Sequence, residues 1–216
     1  RNAVLGDTTT RILRALGFQV EVHNYIDDMG RQMAETLLAY SKIKAKPKTK
    51  FDHVLGIIYA EIHKRLKDDK KLERDVEKIL KELESGKGPK AKTARKLAEK
   101  CVVENLKTTA RLGIFYDLLV WESDLVREGL VEEALEALRK ASRLVEGTGE
   151  RSGTLILKLS DEGMDDKVLV RSDGTAVYTT RDIAYQLWKF GKTKSKLKFK
   201  LHSSRPDGGK TYTTTT

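Results

Sequence analysis

A phenol and a carboxylate four residues apart, Tyr178 and Asp182, have the chemistry to bind a small charged ligand. If a helix begins near Thr180, both side chains can face the same side. A carboxylate beside a phenol suits a cationic ligand, above all a planar guanidinium held by two parallel hydrogen bonds. A structural interpretation also fits, because Thr179-x-x-Asp182 matches a capping box. The residues alone leave both interpretations open.

A second polar group, containing Asn24, Asp28 and Gln32, lies near the start of the chain. The preceding segment, Phe18–Tyr25, alternates apolar and polar residues and so predicts a strand. Open α/β sheets bind ligands beyond the carboxyl ends of their strands, so these polar side chains can face a ligand crevice. A strand-to-helix connection capped by Asp28 explains the same pattern equally well.

Other chemical motifs in the sequence are weak. The stretch GKGPKAKT, from Gly86 to Thr93, is one residue short of a phosphate-binding P-loop. A P-loop follows a strand, whereas a helix is predicted here, which favours a helix break with a basic helix start. The four histidines and the single cysteine lack metal-ligand spacing, so we expect no metal site and assign no catalytic residue.

The elements that must position these residues alternate between helices and short strands. Apolar residues at steps of three and four predict helices, and alternating segments predict strands. The first helix ends at Gly17, and a basic linker with five lysines covers residues 42–50. Further helices are predicted at 31–41, 52–67, 71–84, 90–112, 122–128, 130–142 and 180–190, and further strands at 154–159, 167–171 and 175–178.

The overall charge favours polyanionic partners. Lys and Arg number 42 against 32 Asp and Glu among 216 residues, a net charge of +10. A positive field attracts nucleic acid without selecting among polyanions. The lysine runs at 42–50 and 192–200 fit either a phosphate-binding surface or a solvated linker and a lysine-guarded edge strand. No apolar run approaches the roughly 20 residues that span a bilayer, so we expect no membrane partner. One cysteine fits a reducing compartment.

Several stretches together resemble one family. RNAVLGD at residues 1–7, VEVHNYIDDMGRQ at 20–32 and VLVRSDGTAVYTTRDIAYQLWKF at 168–190 are similar to the catalytic domain of class I arginyl-tRNA synthetases, in the archaeal-type form. RILRALG at 11–17, LLVWESDLV at 118–126 and ILKLSD at 156–161 continue the resemblance in order. The last block, 168–190, is the most specific.

The resemblance implies an α/β fold, a Rossmann-like catalytic domain interrupted by a largely helical insertion. It implies a first part of the nucleotide-binding domain at 1–45, a mostly helical connective insertion at 46–165, and a return to the catalytic domain with a basic tail at 166–216. Tyr178 and Asp182 fall on the family's Y-x-x-x-D pattern, where they would hold L-arginine. Asn24, Asp28 and Gln32 fall in its crevice block.

The implied activity is ATP-dependent activation of L-arginine to arginyl-adenylate, followed by transfer to tRNA(Arg). ATP with Mg²⁺ would be the cofactor, the location would be cytoplasmic, and no DNA partner is expected. The family's ATP-binding His-x-Gly-His motif, expected just before Arg1, and its KMSKS-type loop do not occur in the chain. We therefore expect an internal fragment that is inactive alone.

A non-catalytic alternative also fits the sequence. A basic RNA-binding or assembly module derived from a synthetase would bind tRNA in a salt-sensitive way and show no amino-acid preference. A third hypothesis treats the helices within 51–113 as a free-standing bundle that binds a protein partner.

Overall fold

A computed structural model describes residues 1–43, 49–86 and 88–216. The predicted basic linker at 42–50 therefore lies mostly outside the described residues. The described residues form, in chain order, α1 (Asn2–Ala15), β1 (His23–Ile26), α2 (Gly30–Lys42), α3 (Phe51–Leu66), α4 (Lys70–Glu84), α5 (Pro89–Ala110), β2 (Leu118–Trp121), α6 (Glu122–Arg127), α7 (Leu130–Lys140), β3 (Leu144–Glu146), β4 (Leu155–Leu157), β5 (Lys167–Val170), α8 (Tyr178–Lys189), β6 (Lys198–Ser204) and β7 (Lys210–Thr215).

The chain divides into two compact units, and the first contains residues 1–121 and 199–215. Its sheet has the order β1-β2-β7-β6, and both the β1–β2 and the β2–β7 pairs are parallel. All four residues of β2 are buried, as expected for a strand inside a parallel sheet. Trp121 at the end of β2 is held by β7, since its amide donates to Thr214 Oγ1 and its indole to Thr213 Oγ1.

Helices α2 to α5 of the first unit share one apolar core. Its largest fully buried side chains include Ile58, Ile62 and Leu83. A polar network on the side of α2 ties it to its neighbours. Glu35, only 2% exposed, accepts hydrogen bonds from Arg31 Nε at 2.8 Å and lies 2.9 Å from His63 Nδ1. Both terminal nitrogens of Arg31 bind the Glu73 carboxylate on α4, each at 2.7 Å.

The second unit, residues 122–198 with Thr216, contains an antiparallel sheet of order β3-β4-β5 and the helices α6, α7 and α8. Helices α7 and α8 pack against each other, and α8 also packs on β5. The Ser172-Asp173-Gly174 turn leads from β5 towards α8, and Gly174 adopts a φ of 83°. The three-part domain division stays a prediction, because the two units are defined by compactness and not by function.

The helices follow the periodic segments closely, whereas two predicted strands are wrong in extent. Of the strand predicted at 18–25, only residues 23–25 pair with β2, and the pairing continues one residue further to Ile26, because β2 offers just four residues as partners. The strand predicted at 175–178 reduces to one isolated bridge between Val170 and Ala176. Tyr178, placed there in a strand, is instead the first residue of α8.

Candidate functional site

The start of α8 presents Tyr178 and Asp182 to solvent. Tyr178 is 71% exposed and Asp182 is also exposed, and positions i and i+4 of a helix share a face. The capping-box alternative does not hold, because the N-cap position is Val177 and no side chain makes a capping hydrogen bond there. The two residues named from the sequence therefore form an exposed pair one helical turn apart.

The remaining positions in the first turn of α8 are fixed by buried polar contacts. Arg181 and Glu122, 6% and 2% exposed, form an ion pair with Nη1 and Oε2 3.0 Å apart. Arg181 Nη2 also donates to the carbonyl of Ala176 at 3.1 Å. The buried hydroxyl of Thr180 donates to the carbonyl of Leu169 on β5 at 2.6 Å. These contacts hold the first turns of the helix, so the face with Tyr178 sits on a rigid support.

The three residues predicted for a crevice after β1 occupy different environments. Asn24 lies within β1, partly buried, in register with Leu119. Asp28 is 3% exposed, and its Oδ2 lies 3.6 Å from Arg95 Nη1 on α5. The guanidinium of Arg95 stacks over Trp121, 3.8 Å from the ring centre. Asp28 therefore ties the end of β1 to α5 and β2.

Gln32 is exposed and lines a cavity of about 360 Å³ within the first unit. Asp28 does not cap α2, because the N-cap residue is Met29, whose amide donates to Asp27 Oδ1 at 3.1 Å. Of the three predicted residues, only Gln32 lines this cavity. Asp27, which was not predicted, also lines it. The described residues that line it are Ile26, Asp27, Met29, Gln32, Met33, Thr36, Asp52, Leu55, Gly56, Tyr59, Ala98, Cys101, Val102 and Asn105.

Two titratable groups of this cavity have shifted pKa values. Burial opposes ionisation of Asp52, but the His53 backbone and the Lys50 ammonium outweigh it and hold the pKa of Asp52 below its ordinary value. Burial, assisted by the nearby Asp52 charge, raises the pKa of the Cys101 thiol. The carboxylate is therefore charged at neutral pH and the thiol is protonated, which makes Cys101 a poor nucleophile.

The lysine run after α8 is anchored by one carboxylate. Glu133 on α7 accepts hydrogen bonds from the amides of Lys194 and Ser195 at 2.6 and 2.9 Å, and from the Ser195 hydroxyl. The Ser195 hydroxyl and the Lys194 amide hold the pKa of Glu133 below its ordinary value. The lysines of this run all have exposed side chains: Lys192, Lys194, Lys196, Lys198 and Lys200.

The segment resembling a P-loop does not form one in the part of the chain that the structure describes. Helix α4 precedes it, and α5 begins at Pro89. The Glu82 carboxylate accepts a hydrogen bond from the Lys90 amide at 2.7 Å, which places a negative group at this helix start. Within residues 1–43, 49–86 and 88–216, no three His, Cys, Asp or Glu side chains are grouped to hold a metal ion. Nor is any helix in those ranges long and apolar enough to cross a membrane.

Comparison with known proteins decides the family. The family model described as tRNA synthetases class I (R), catalytic domain, matches residues 1–215 of this chain. The chain belongs to this family. The resemblance seen in the sequence is confirmed, and it extends through the 191–215 tail, where the sequence alone showed little. The α/β class I synthetase fold is likewise confirmed.

The relatives of this synthetase-family chain are longer than it is. It is 45% identical to the arginine–tRNA ligase of Thermococcus sibiricus over 233 aligned residues, which cover 99% of this chain and 36% of that protein. It is 42% identical to the arginine–tRNA ligase of Deinococcus radiodurans, covering 35% of it. The Thermus thermophilus arginyl-tRNA synthetase structure superposes with a TM-score of 0.78 at 36% identity, covering 99% of this chain and 36% of that one. The chain thus spans about a third of these relatives.

Sequence reasoning missed the buried partners of the site. Glu122 and Arg181 are 59 residues apart, and nothing local marks them as a pair. One usable signal is that Glu122 directly follows the apolar strand LLVW, where a charged residue needs a partner. Asp52 and Asn105 of the cavity were also missed, because they come from α3 and α5, far from Gln32 in sequence.

Proposed function

We propose that this chain forms part of the catalytic domain of an arginine–tRNA ligase, which activates L-arginine with ATP to arginyl-adenylate and transfers it to tRNA(Arg). Family membership supports the reaction class. The substrate assignment rests on the exposed pair of Tyr178 and Asp182 on one face of α8, a helix whose first turn is fixed by the buried contacts of Arg181 and Thr180.

In this proposal Asp182 binds the substrate guanidinium and Tyr178 orients it. A carboxylate and a guanidinium match in plane and in spacing, so two parallel hydrogen bonds can form. A lysine ammonium cannot reproduce this fork, because it is a single point charge. The pair can therefore discriminate between the two basic amino acids. Asn24, Asp28 and Gln32 remain predicted crevice residues.

We propose ATP and Mg²⁺ as cofactors of a complete synthetase and not of this chain alone. The described residues assemble no phosphate cradle at the one P-loop-like segment, where Glu82 meets the helix start. No metal-binding group of three ligands forms among them either. We assign no step of ATP chemistry to residues of this chain, and we expect the chain alone to form no arginyl-adenylate above background.

Calorimetric titration of the chain with L-arginine and L-lysine tests the proposed substrate. We expect arginine to bind about tenfold or more tightly than lysine, because a hydrogen bond to a charged group contributes about 1.5–3 kcal/mol. The substitution Asp182→Asn should remove this preference. Asp161→Asn, which alters an exposed aspartate in a short 3₁₀ helix, is the matched control and should leave the preference intact. Equal affinity for both amino acids in the unaltered chain would contradict the proposal.

A further inference from the structure

A second cavity of the first unit, which we call the α5 cavity, lies between helix α5 and the turn that joins β6 to β7. Its volume of about 340 Å³ is near the lower end of small-molecule pockets, which begin at about 300 Å³. Its walls include Val103, Leu106 and Ala110 of α5, and Phe115 and Tyr116 just before β2. These apolar and aromatic walls suit a ligand with an apolar body.

The α5 cavity lies at the amino ends of two parallel strands. The lining residues Phe115 and Tyr116 precede β2, and the lining residues Arg205 and Pro206 precede β7, which is parallel to β2. Open α/β sheets bind their substrates beyond the carboxyl ends of the strands, which is the opposite edge. We therefore assign no substrate of the proposed reaction to this cavity.

The charged groups around the α5 cavity favour an anion. None of its described lining residues is an aspartate or a glutamate, whereas Lys107 and Arg205 are cations. The carboxylates that pair with Arg205, Asp117 and Asp207, are not among the lining residues. Lys107 pairs with Glu104, but an ion pair whose lysine is this exposed contributes little, so a ligand can replace it.

The imidazole that lines the cavity adds no charge at neutral pH. Burial lowers the pKa of His202 below its ordinary value, and the nearby Glu99 only partly offsets this. Its Nδ1 lies 3.0 Å from the Ser203 hydroxyl. At pH 7 the positive charge of the cavity therefore comes from the lysine and the arginine.

Arg205 still has hydrogen-bond donors to offer a ligand. Its Nε donates to Asp207 at 3.0 Å, and its Nη1 donates to Asp117 at 2.6 Å and to the Tyr116 carbonyl at 3.1 Å. Its Nη2 has no acceptor within the part of the chain that the structure describes. The guanidinium is thus held in place by its own partners, and both hydrogens of Nη2 remain for a ligand carboxylate.

We propose that the α5 cavity binds a medium-chain fatty acid, an aliphatic chain that ends in one carboxylate. The chain lies against the apolar and aromatic walls, and its burial supplies most of the affinity. The carboxylate accepts hydrogen bonds from Arg205 Nη2 and pairs with Lys107, which selects the anion. The assignment does not depend on the proposed function, since Tyr178 and Asp182 belong to the other compact unit.

Titration of the ¹⁵N-labelled chain with octanoate, below its micelle concentration, is the first test. We expect saturable NMR shifts within residues 103–116 and 202–211. Octan-1-ol has the same chain without the charge and should bind about tenfold or more weakly, because hydrogen bonds to charged groups are the stronger ones. Octylammonium should bind more weakly still, and acetate, which lacks the chain, should give no saturable shifts. Octylammonium binding as tight as that of octanoate, or saturable shifts only outside these residues, would overturn the assignment.

Val103 offers a variant that changes the charge of the cavity and not its packing. It lines the cavity and is 41% exposed, so Val103→Asp should leave the fold intact. It should weaken octanoate binding about tenfold or more, because two negative charges then lie in one small cavity. Val4→Asp, at a 51% exposed position on α1, changes the net charge equally and should leave binding unchanged. An equal loss in both variants would mean that octanoate responds to net charge alone, and would overturn the assignment.

Arg205→Gln tests the proposed anchor of the carboxylate. It should remove most of the preference for octanoate over octan-1-ol, while retained binding of octan-1-ol shows that the cavity is still formed. An unchanged preference would contradict the proposal. If octan-1-ol binding is lost as well, Val103→Asp decides the assignment, since it leaves the contacts of Arg205 in place.

Discussion

Arg181 is the residue that holds the proposed arginine-binding face in place. Its ion pair with Glu122 is buried at both ends, and Arg181 also binds the Ala176 carbonyl just before α8. Removal of one partner of a buried pair leaves an uncompensated charge, whereas removal of both can be nearly neutral. The pair therefore links fold stability to the position of the Tyr178 face.

Substitution Arg181→Met should lower the free energy of unfolding by about 3–5 kcal/mol, because the buried Glu122 carboxylate loses the guanidinium that pairs with it. Urea-induced unfolding measures the change. Arg139→Met, at an exposed position on α7, is the control and should change stability little. The double substitution with Glu122→Leu should recover much of the loss. If Arg181→Met lowers the free energy of unfolding by less than about 1 kcal/mol, the assigned role is wrong, because an exposed surface ion pair contributes that much.

Local spacing was enough to place Tyr178 and Asp182 on one face of a helix, because a four-residue step is a local property of a helix. The ligand-binding role of these two residues stays a prediction. Glu122 and the cavity residue Asp52 depend on which elements pack together, and local spacing carries no such information. The same reason explains the strand predicted at 18–25, because alternation marks a possible strand while the short β2 decides how much of it pairs.

At the scale of helices, alanine substitutions at two glycines should change stability in opposite directions. Gly56 lies inside α3 with open space around a built Cβ, so Gly56→Ala should raise the free energy of unfolding by about 0.5–1 kcal/mol. Gly88 precedes α5 with a φ of 95°, and a built Cβ would lie 2.6 Å from Glu82 Oε1. Gly88→Ala should therefore destabilise the chain. Thermal unfolding checks both signs, and stabilisation by Gly88→Ala would contradict the structure.

The Glu133 contact should make the connection between α7 and the lysine run dependent on pH. Because the folded-state pKa lies below the ordinary value of 4.5, the contact stabilises the chain fully above that pH. Its contribution is lost as the pH falls through the depressed folded-state pKa. Glu133→Gln should lower the melting temperature at pH 7, and the difference from the unaltered chain should shrink below pH 4.5. Glu132→Gln, on the same helical turn, serves as the control, and an equal effect there would contradict this account.

At the scale of the whole molecule, the net charge of +10 predicts salt-sensitive binding of tRNA. If the lysine run contacts phosphates, Lys196→Gln with Lys198→Gln should reduce the slope of log K against log salt by about 0.7 for each lost contact. The charge-matched control is Lys64→Gln with Lys78→Gln, at exposed helical positions of the first unit. If the slope falls equally in both variants, tRNA binding depends on the net charge of the chain and not on the lysine run.

Amino-acid selectivity, and not tRNA binding, separates the enzyme-derived interpretation from a non-catalytic RNA module. Both bind tRNA, but only an arginine pocket discriminates among amino acids. The relatives are about three times longer than this chain, so the catalytic activity of the whole protein remains proposed here, while the fold and the family are established.

The most direct test of the proposed arginine-binding pair, Tyr178 and Asp182, compares L-arginine with L-citrulline, its near-isostere with an uncharged side chain, by NMR titration of the ¹⁵N-labelled chain. We predict saturable shifts from arginine centred on residues 178–182, and much weaker shifts from citrulline, because only a guanidinium cation can pair with the Asp182 carboxylate. Equal shifts from the two ligands, or arginine-induced shifts that leave residues 178–182 unchanged, would contradict it.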